Sequence, residues 1–480
     1  MTDGDGRTRG QPSQATRLVE LALESDLFHS PDGRAHAYVT MGDHRETWLL
    51  KSAGFRTRLA RRFYQIEGKT PSSQALQNAL AVLEGLAQFE GPELPVHTRI
   101  AMLDGRIYLD LADDCWQAVE ITSTGWCVVR NPPVKFRRTR GLRRLPMPRR
   151  GGSLEDLRRF INVPDETTWR LLVAWLIGAL WPSGPYPILL LHGEQDSAKS
   201  TTARILRALI DPSAAPLRAE PRDLRDLMIA ANNGWIMALD NVSHLSPWLS
   251  DALCRLSTGG GLSTRELYSD DEEVIFDAQR PVILNGIEEI ATREDLLDRS
   301  IILYPPPIPD DLRRPETTLW AEFNAVKPRI LGALLDMVVA GLRNLSETQL
   351  PRLPRMADFA IRVTAAETAL GWPRGTFLMD YEENRAAAND LALESSAVAP
   401  VILRFAVESG AWTGTASELL KAIMPLAGEA TAKQKAWPKS ARALSNILRR
   451  LGGNLRRAGV LMTFLPRRGR ARPIALEWVG

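Results

Sequence analysis

The chain has 480 residues, 44% apolar and 24% charged, with a formal net charge of only +3. That balance excludes a disordered or membrane-embedded chain and fits a soluble globular protein of about three domains. The arginines gather in two stretches, and this unevenness says more about a polyanionic partner than the total does. Cys115, Cys127 and Cys254 are isolated, so neither a disulfide framework nor a zinc site follows, and a reducing, cytoplasmic setting fits.

Residues 1–14 are polar and glycine-rich and lack the apolar core of a signal peptide. Helical spacing runs from Ser13 to Glu24 and again from Ser72 to Phe89. From Ile100 to Leu111 the period changes to that of two strands around an Asp104-Gly105 turn, and strand-like sequence continues from Trp116 to Val129. Residues 13–135 are therefore expected to form an α+β domain, in which no catalytic pattern is recognised. Residues 136–152 (FRRTRGLRRLPMPRRGG) read as a basic interdomain linker. Its arginines, Arg137 to Arg150, either track a nucleic-acid backbone or are simply solvated.

The most apolar window, Trp169 to Trp181, is shorter than the roughly 20 residues that cross a bilayer. It reads as a buried core helix, and no membrane partner is expected. From 153 to 345 apolar strand candidates alternate with helices: Pro187–Leu191, Trp235–Leu239, Val282–Asn285 and Ile301–Tyr304. This is the pattern of an α/β fold with a mostly parallel sheet. Residues 346–395 are helical and arginine-rich, and 398–480 form a small separate basic domain. No repeat with a period of 20–50 residues is visible.

The run Pro187–Leu191 leads into His192 and then Gly193, Glu194, Gln195, Asp196, Ser197, Ala198, Lys199, Ser200 and Thr201, followed by a helical pattern. Strand, loop and helix in that order make a phosphate-binding loop, because loop and helix N–H groups together cradle an anion. Lys199 would neutralise the β- and γ-phosphates of ATP, and Ser200 would give its hydroxyl to Mg²⁺. Ala198 stands where the motif has its second glycine, with a helical conformation expected there. Asp196 occupies a position that favours positive φ, which aspartate tolerates better than most residues.

Two further strands end in polar groups. The strand before Asp240 would place this acid on Mg²⁺ through water, and Asn241 follows where relatives carry a water-polarising glutamate. Glu288 and Glu289 are alternative helpers. Asn285 would reach the γ-phosphate or its water from a strand beside the other two. Arg299 would either project into a neighbouring subunit's nucleotide site or pair with Asp295 or Asp298.

Together these elements resemble the AAA+ ATPases, and more narrowly the superfamily III and MCM-like replicative helicases of phages, plasmids and mobile islands. The resemblance covers about residues 165–345, and the C-terminal domain more loosely. It implies an α/β AAA+ core with an N-terminal α+β domain and a C-terminal winged-helix domain, assembled as a ring, expected to be a hexamer. It makes Lys199 and Ser200 the Walker A contacts, Asp240 the Walker B acid, Asn285 the first sensor, Arg299 the arginine finger and Arg355 a second sensor. Relatives also carry a DNA-touching hairpin between the Walker B strand and the sensor. Here Arg265 and Tyr268 suit that role, whereas the acidic tip Asp270 to Glu273 does not.

The last 80 or so residues offer helices at Thr415–Ala427 and Ser440–Arg450, and a third short one carrying Leu455, Arg456 and Arg457. Strand-like Val460–Leu465 and Pro473–Leu476 follow. This order resembles a winged helix. The second helix would enter the major groove, with Lys439, Arg442, Arg449 and Arg450 as contacts. The wing would add Arg467, Arg468, Arg470 and Arg472 on phosphates or the minor groove. A protein-binding wing or a solvated face is the plainer alternative. The function expected is that of an ATP- and Mg²⁺-dependent DNA helicase or helicase-like motor in replication of a mobile element. An ATP-switched DNA-binding initiator or loader is the alternative, and a regulatory or defence ATPase a third. No primase-type acidic cluster is recognised, so no priming by this chain is expected.

Overall fold

A computed structural model describes residues 12–242, 245–265, 273–276, 279–286, 294–467 and 472–480. The N-terminal part opens with α1 (Gln14–Ala22), β1 (Asp26–His29), β2 (Ala35–Met41), β3 (His44–Leu49), α2 (Ala53–Glu67) and α3 (Ser73–Phe89). Ser13, Ser52 and Ser72 start the three helices by accepting an N–H of the first turn. The antiparallel sheet β1-β2-β3 and the helix α2 were not anticipated. Five consecutive buried residues hide the alternation of β2, and four arginines dilute the stripe Phe55, Leu59 and Phe63 of α2.

Two further sheets follow, built from β4 (Val96–His97), β5 (Ile100–Leu103), β6 (Arg106–Asp110), β7 (Ala118–Ile121), β8 (Trp126–Val129) and β9 (Lys135–Phe136). Strands β5 to β8 form an antiparallel meander, and β4 pairs with β9. Asp104 and Gly105, at φ 49° and 74°, make the expected tight turn.

The basic stretch after β9 is a strap bonded to its surroundings. Arg137 donates to the carbonyl of Asn232, and Arg138 binds Asp110 while stacking 4.1 Å from the Trp116 ring. Arg150 stacks 4.3 Å from Trp126. At its end the backbone presses on the long helix α10 described below. A Cβ on Gly332 would lie 1.9 Å from the carbonyl oxygen of Arg149, and one on Gly152 would lie 2.0 Å from that of Arg329. Neither a solvated linker nor a backbone tracker describes this segment as a whole. Arg140, Arg143, Arg144 and Arg149 do remain exposed.

The central part contains α4 (Glu155–Arg158), α5 (Glu166–Ala179), β10 (Ile188–His192), α6 (Lys199–Ile210), α7 (Leu224–Asn232), β11 (Met237–Leu239) and α8 (Pro247–Thr258). After these come β12 (Leu262–Arg265), β13 (Glu273–Phe276), β14 (Val282–Gly286), α9 (Glu294–Leu297), β15 (Ser300–Leu303), α10 (Glu316–Asn344), α11 (Ala357–Ala366) and α12 (Thr376–Glu394). Helix α5 is the expected core helix, with Trp169 and Trp175 fully buried. The four predicted apolar runs form one parallel sheet in the order β11-β14-β10-β15. Hydrophobic layers cover both faces, as a parallel sheet requires.

The C-terminal part runs α13 (Ala399–Ser409), β16 (Ala411–Gly414), α14 (Ala416–Ala432), α15 (Ala441–Arg457), β17 (Val460–Phe464) and β18 (Ile474–Trp478). Strands pair in the order β16-β18-β17. Thr415 and Glu418 form a capping box on α14, which kinks at Gly428. The expected second and third helices are one continuous helix, α15. Leu444, Leu448, Leu451 and Leu455 keep one buried stripe across Gly452 and Gly453, so packing outweighs the local cost of two glycines. Among the described residues no helix is long and apolar enough to cross a membrane.

Candidate functional site

The parallel sheet ends its strands at one edge. Leu191 lies opposite Asn285, and Leu239 lies opposite Leu284, so Asp240 and Asn285 emerge level with each other beside the loop 193–198. This crevice at the carboxyl ends of strands is where open α/β sheets bind ligands.

Within the loop, Asp196 and Ala198 both adopt left-handed backbone, at φ 62° and 58°. Ala198 is thus not helical, contrary to the sequence expectation. It occupies a glycine conformation and carries the strain of a Cβ there. Ser197 is buried, and its hydroxyl donates to the carbonyl of Glu194 at 2.8 Å. Lys199 Nζ sits inside the loop, donating to Gly193 O at 2.8 Å, Ser197 Oγ at 3.0 Å and Glu194 O. Burial lowers its pKa, while Asp196 and Asp240 pull it the other way. Gln195 is exposed, and Thr201 lies in the first turn of α6.

Ser200 Oγ donates to Asp240 Oδ1 at 2.8 Å. Asn285 Nδ2 donates to the same Ser200 hydroxyl at 3.3 Å, and Asn285 Oδ1 accepts from the Asn241 N–H at 2.7 Å. Asn241 has φ 52° and an exposed side chain. Ser200, Asp240, Asn241 and Asn285 therefore meet at one point beside Lys199. A hydroxyl and a carboxylate 2.8 Å apart suit a hard cation such as Mg²⁺. Among the described residues no group of three His, Cys, Asp or Glu could hold a metal. Waters and a ligand's own oxygens would have to complete the shell.

Two other predicted residues lie elsewhere. Arg299 donates from Nη1 to the carbonyl of Asp295 at 2.7 Å, and its Nε is buried without a hydrogen-bond partner. Arg355 binds the carboxylate of Asp298 and is not brought to the loop. The same carboxylate takes Arg385 of α12 at 2.7 Å and Arg457 of α15 at 2.5 Å. Burial works to raise the pKa of Asp298, but the three arginine hydrogen bonds outweigh it and hold the carboxyl below its usual range. Sequence reading missed this node, because its three arginines come from three separate stretches of chain. Replacing Asp298 with alanine is expected to cost about 2 kcal/mol, less than breaking a fully buried pair, since Arg355 and Arg457 are about two-fifths exposed. Hydrogen exchange should rise in α15 and at 394–398. Unchanged exchange there would remove the node as the tie between α15 and the sheet.

On α15, Arg442, Arg449 and Arg456 form an exposed stripe at seven-residue spacing, with exposed Lys439 just before the helix. Arg449 stacks 4.9 Å from the Phe464 ring and Arg472 stacks 5.6 Å from it, so one aromatic ties helix to hairpin. Arg467 is exposed. Arg450 lines the cleft between α15 and Asp298, together with Arg355 and Arg457, and so turns away from that stripe. Arg265 closes β12. Tyr268, Asp270, Asp271, Glu272, Glu288, Glu289, Arg468 and Arg470 lie outside the described residues.

A family model described as the actinomycete integrative conjugative element replication protein matches residues 154–392. A second, the RepA C-terminal domain of the same elements, matches residues 398–478. No curated protein matches the chain. Among solved structures the chain is similar to an A-form apo structure of the NrS-1 C-terminal region, at 14% identity and a TM-score of 0.43, covering 98% of this chain and 100% of that one. Another apo structure of the same region gives 12% identity and a TM-score of 0.41, with the same coverage.

Proposed function

We propose that this chain, which belongs to the family of actinomycete integrative conjugative element replication proteins, is an ATP- and Mg²⁺-dependent AAA+ protein that acts on DNA as a helicase-like motor. The observation that carries this reading is the convergence of Ser200, Asp240 and Asn285 beside Lys199 at the ends of three adjacent parallel strands.

In this reading the loop N–H groups hold the phosphates, and Lys199 exchanges its loop carbonyls for β- and γ-phosphate oxygens. Ser200 and Asp240 hold the cation, which supplies charge neutralisation on the phosphates when bound. Asn285, fixed by the Asn241 N–H, orients the attacking water with its amide. Arg299 serves a neighbouring subunit in a ring, expected to be a hexamer. The C-terminal part is read as a winged helix. Arg442, Arg449 and Arg456 face DNA phosphates, and Arg467 and Arg472 come from the wing.

A second reading, an ATP-switched initiator or loader with slow hydrolysis, rests on Asn241. An amide orients a water but accepts no proton, and Asn241 stands next to Asp240. ATP turnover of the purified protein, with and without single-stranded DNA, tests the two, with an Asn241→Glu variant beside it. Turnover stimulated several-fold by DNA, with unwinding of a forked duplex, supports the motor. Tight ATP binding with negligible turnover, raised about 10²-fold in Asn241→Glu, would instead leave the switch.

A further inference from the structure

The loop 193–198 carries an acid where phosphate has to bind. Asp196 is 63% exposed, and its side chain sits in a loop that should attract anions. A carboxylate there repels a triphosphate unless a cation stays with it. The cation comes from an element that sequence reading left unassigned. Between β15 and α10 the chain reads Tyr304-Pro-Pro-Pro-Ile308-Pro-Asp-Asp-Leu-Arg313-Arg314-Pro315. Five prolines stiffen it into a strap.

This strap is fastened to the loop at several points. The N–H of Ile308 donates to the carbonyl of Asp196 at 3.0 Å. Asn162 Nδ2 donates both to Ser197 O at 3.1 Å and to Pro306 O at 2.6 Å. A Cβ on Gly193 would lie 3.0 Å from the carbonyl of Pro305, so strap and loop backbones run in close contact. At its end Arg313 Nη2 lies 3.2 Å from Asp196 Oδ2 and 2.9 Å from Asp310 Oδ1. Arg313 is half exposed, which leaves donors of its guanidinium open toward solvent.

We infer that the proline strap is a third wall of the nucleoside triphosphate site, and that Arg313 is its working group. Arg313 neutralises Asp196 and offers its remaining donors to the terminal phosphates. The proposal rests on the ATP-binding reading above. It adds a cation supplied in cis, distinct from Lys199 and Arg299. As an isolated surface pair, Arg313 and Asp196 would contribute little to stability. Their value lies in the charge they present when an anion arrives. Arg313 is a positioning residue for the loop and a ligand-binding residue for the phosphates, and binding separates these from a merely structural role.

The test is calorimetric titration with ATP and Mg²⁺ of wild type, Arg313→Ala, Arg313→Lys, Asp196→Gly and the double variant Asp196→Gly/Arg313→Ala. Arg313→Ala is expected to weaken ATP binding about tenfold with an unchanged melting temperature. Arg313→Lys should recover part of the loss. The double variant should bind better than Arg313→Ala, because the acid left unpaired has gone. Wild-type affinity in Arg313→Ala, or a double variant no better than Arg313→Ala, overturns the proposal while the ATP reading stands. Absence of ATP binding by wild type overturns both.

Discussion

Lys199→Ala is expected to abolish measurable ATP turnover, by about 10²–10³-fold or more, while leaving the protein folded. The first half follows from where the ammonium sits. It is buried in the loop with three oxygen acceptors and lies beside the Ser200–Asp240 pair. A positioned cation removed from a phosphate site costs rates of that order. The second half follows from the same burial. Desolvation lowers the pKa of Lys199, which means that the loop destabilises the charge it holds. Truncating it removes three hydrogen bonds but also relieves that penalty, so unfolding free energy should change by about 1 kcal/mol or less. Turnover and urea denaturation on one preparation check both halves. Residual turnover within tenfold of wild type would show that the loop is not the ATP site. Lost turnover with lost folding would show that Lys199 is structural.

Arg99→Met should be the most destabilising single change, at about 3–5 kcal/mol. Arg99 and Asp211 are 0% and 1% exposed, and they pair at 3.2 Å. Arg99 also donates to the carbonyls of Asp110 and Arg143, at 2.9 and 2.8 Å. Asp211 ends α6, the helix that starts at Lys199, and its other oxygen accepts from the N–H groups of Trp235 and Ile236. One buried ion pair therefore ties the meander, the arginine strap and the back end of the α6 helix together. Methionine would leave a buried carboxylate with Arg207, 3.7 Å away, as its remaining cation. Asp211→Asn added to Arg99→Met should not recover the loss, because Arg207, itself only 2% exposed, would then stay buried without its carboxylate. Equilibrium urea unfolding measures the cycle. A cost under 1 kcal/mol would mean that the pair is not what joins these parts.

The family matches begin at residue 154, so they do not take in the meander or the arginine strap. The tie from Arg99 to Asp211 gives those residues a physical role: they buttress the rear of the helix that starts at Lys199. The Asp298 node plays the corresponding part on the other side, holding α12 and α15 against the strand β15.

The sequence by itself determined whatever depends on neighbours along the chain. The strand, loop and helix around Lys199 were legible because they form a local object, built from consecutive residues. The Asp104-Gly105 turn and the apolar helix α5 were legible for the same reason. The level arrangement of Asp240 and Asn285 was also readable, since parallel strands of one sheet must end on one edge. Only the tertiary structure decided where the arginines go. A guanidinium has five donors and a long stem, and nothing in its immediate sequence says which carbonyl or carboxylate it will meet. So Arg355 went to Asp298, Arg138 to Asp110, Arg450 to the rim of the cleft beside Asp298 and Arg313 to the loop acid. The left-handed Ala198 and the single continuous α15 were likewise settled by packing, which overrode the local preferences of alanine and of paired glycines.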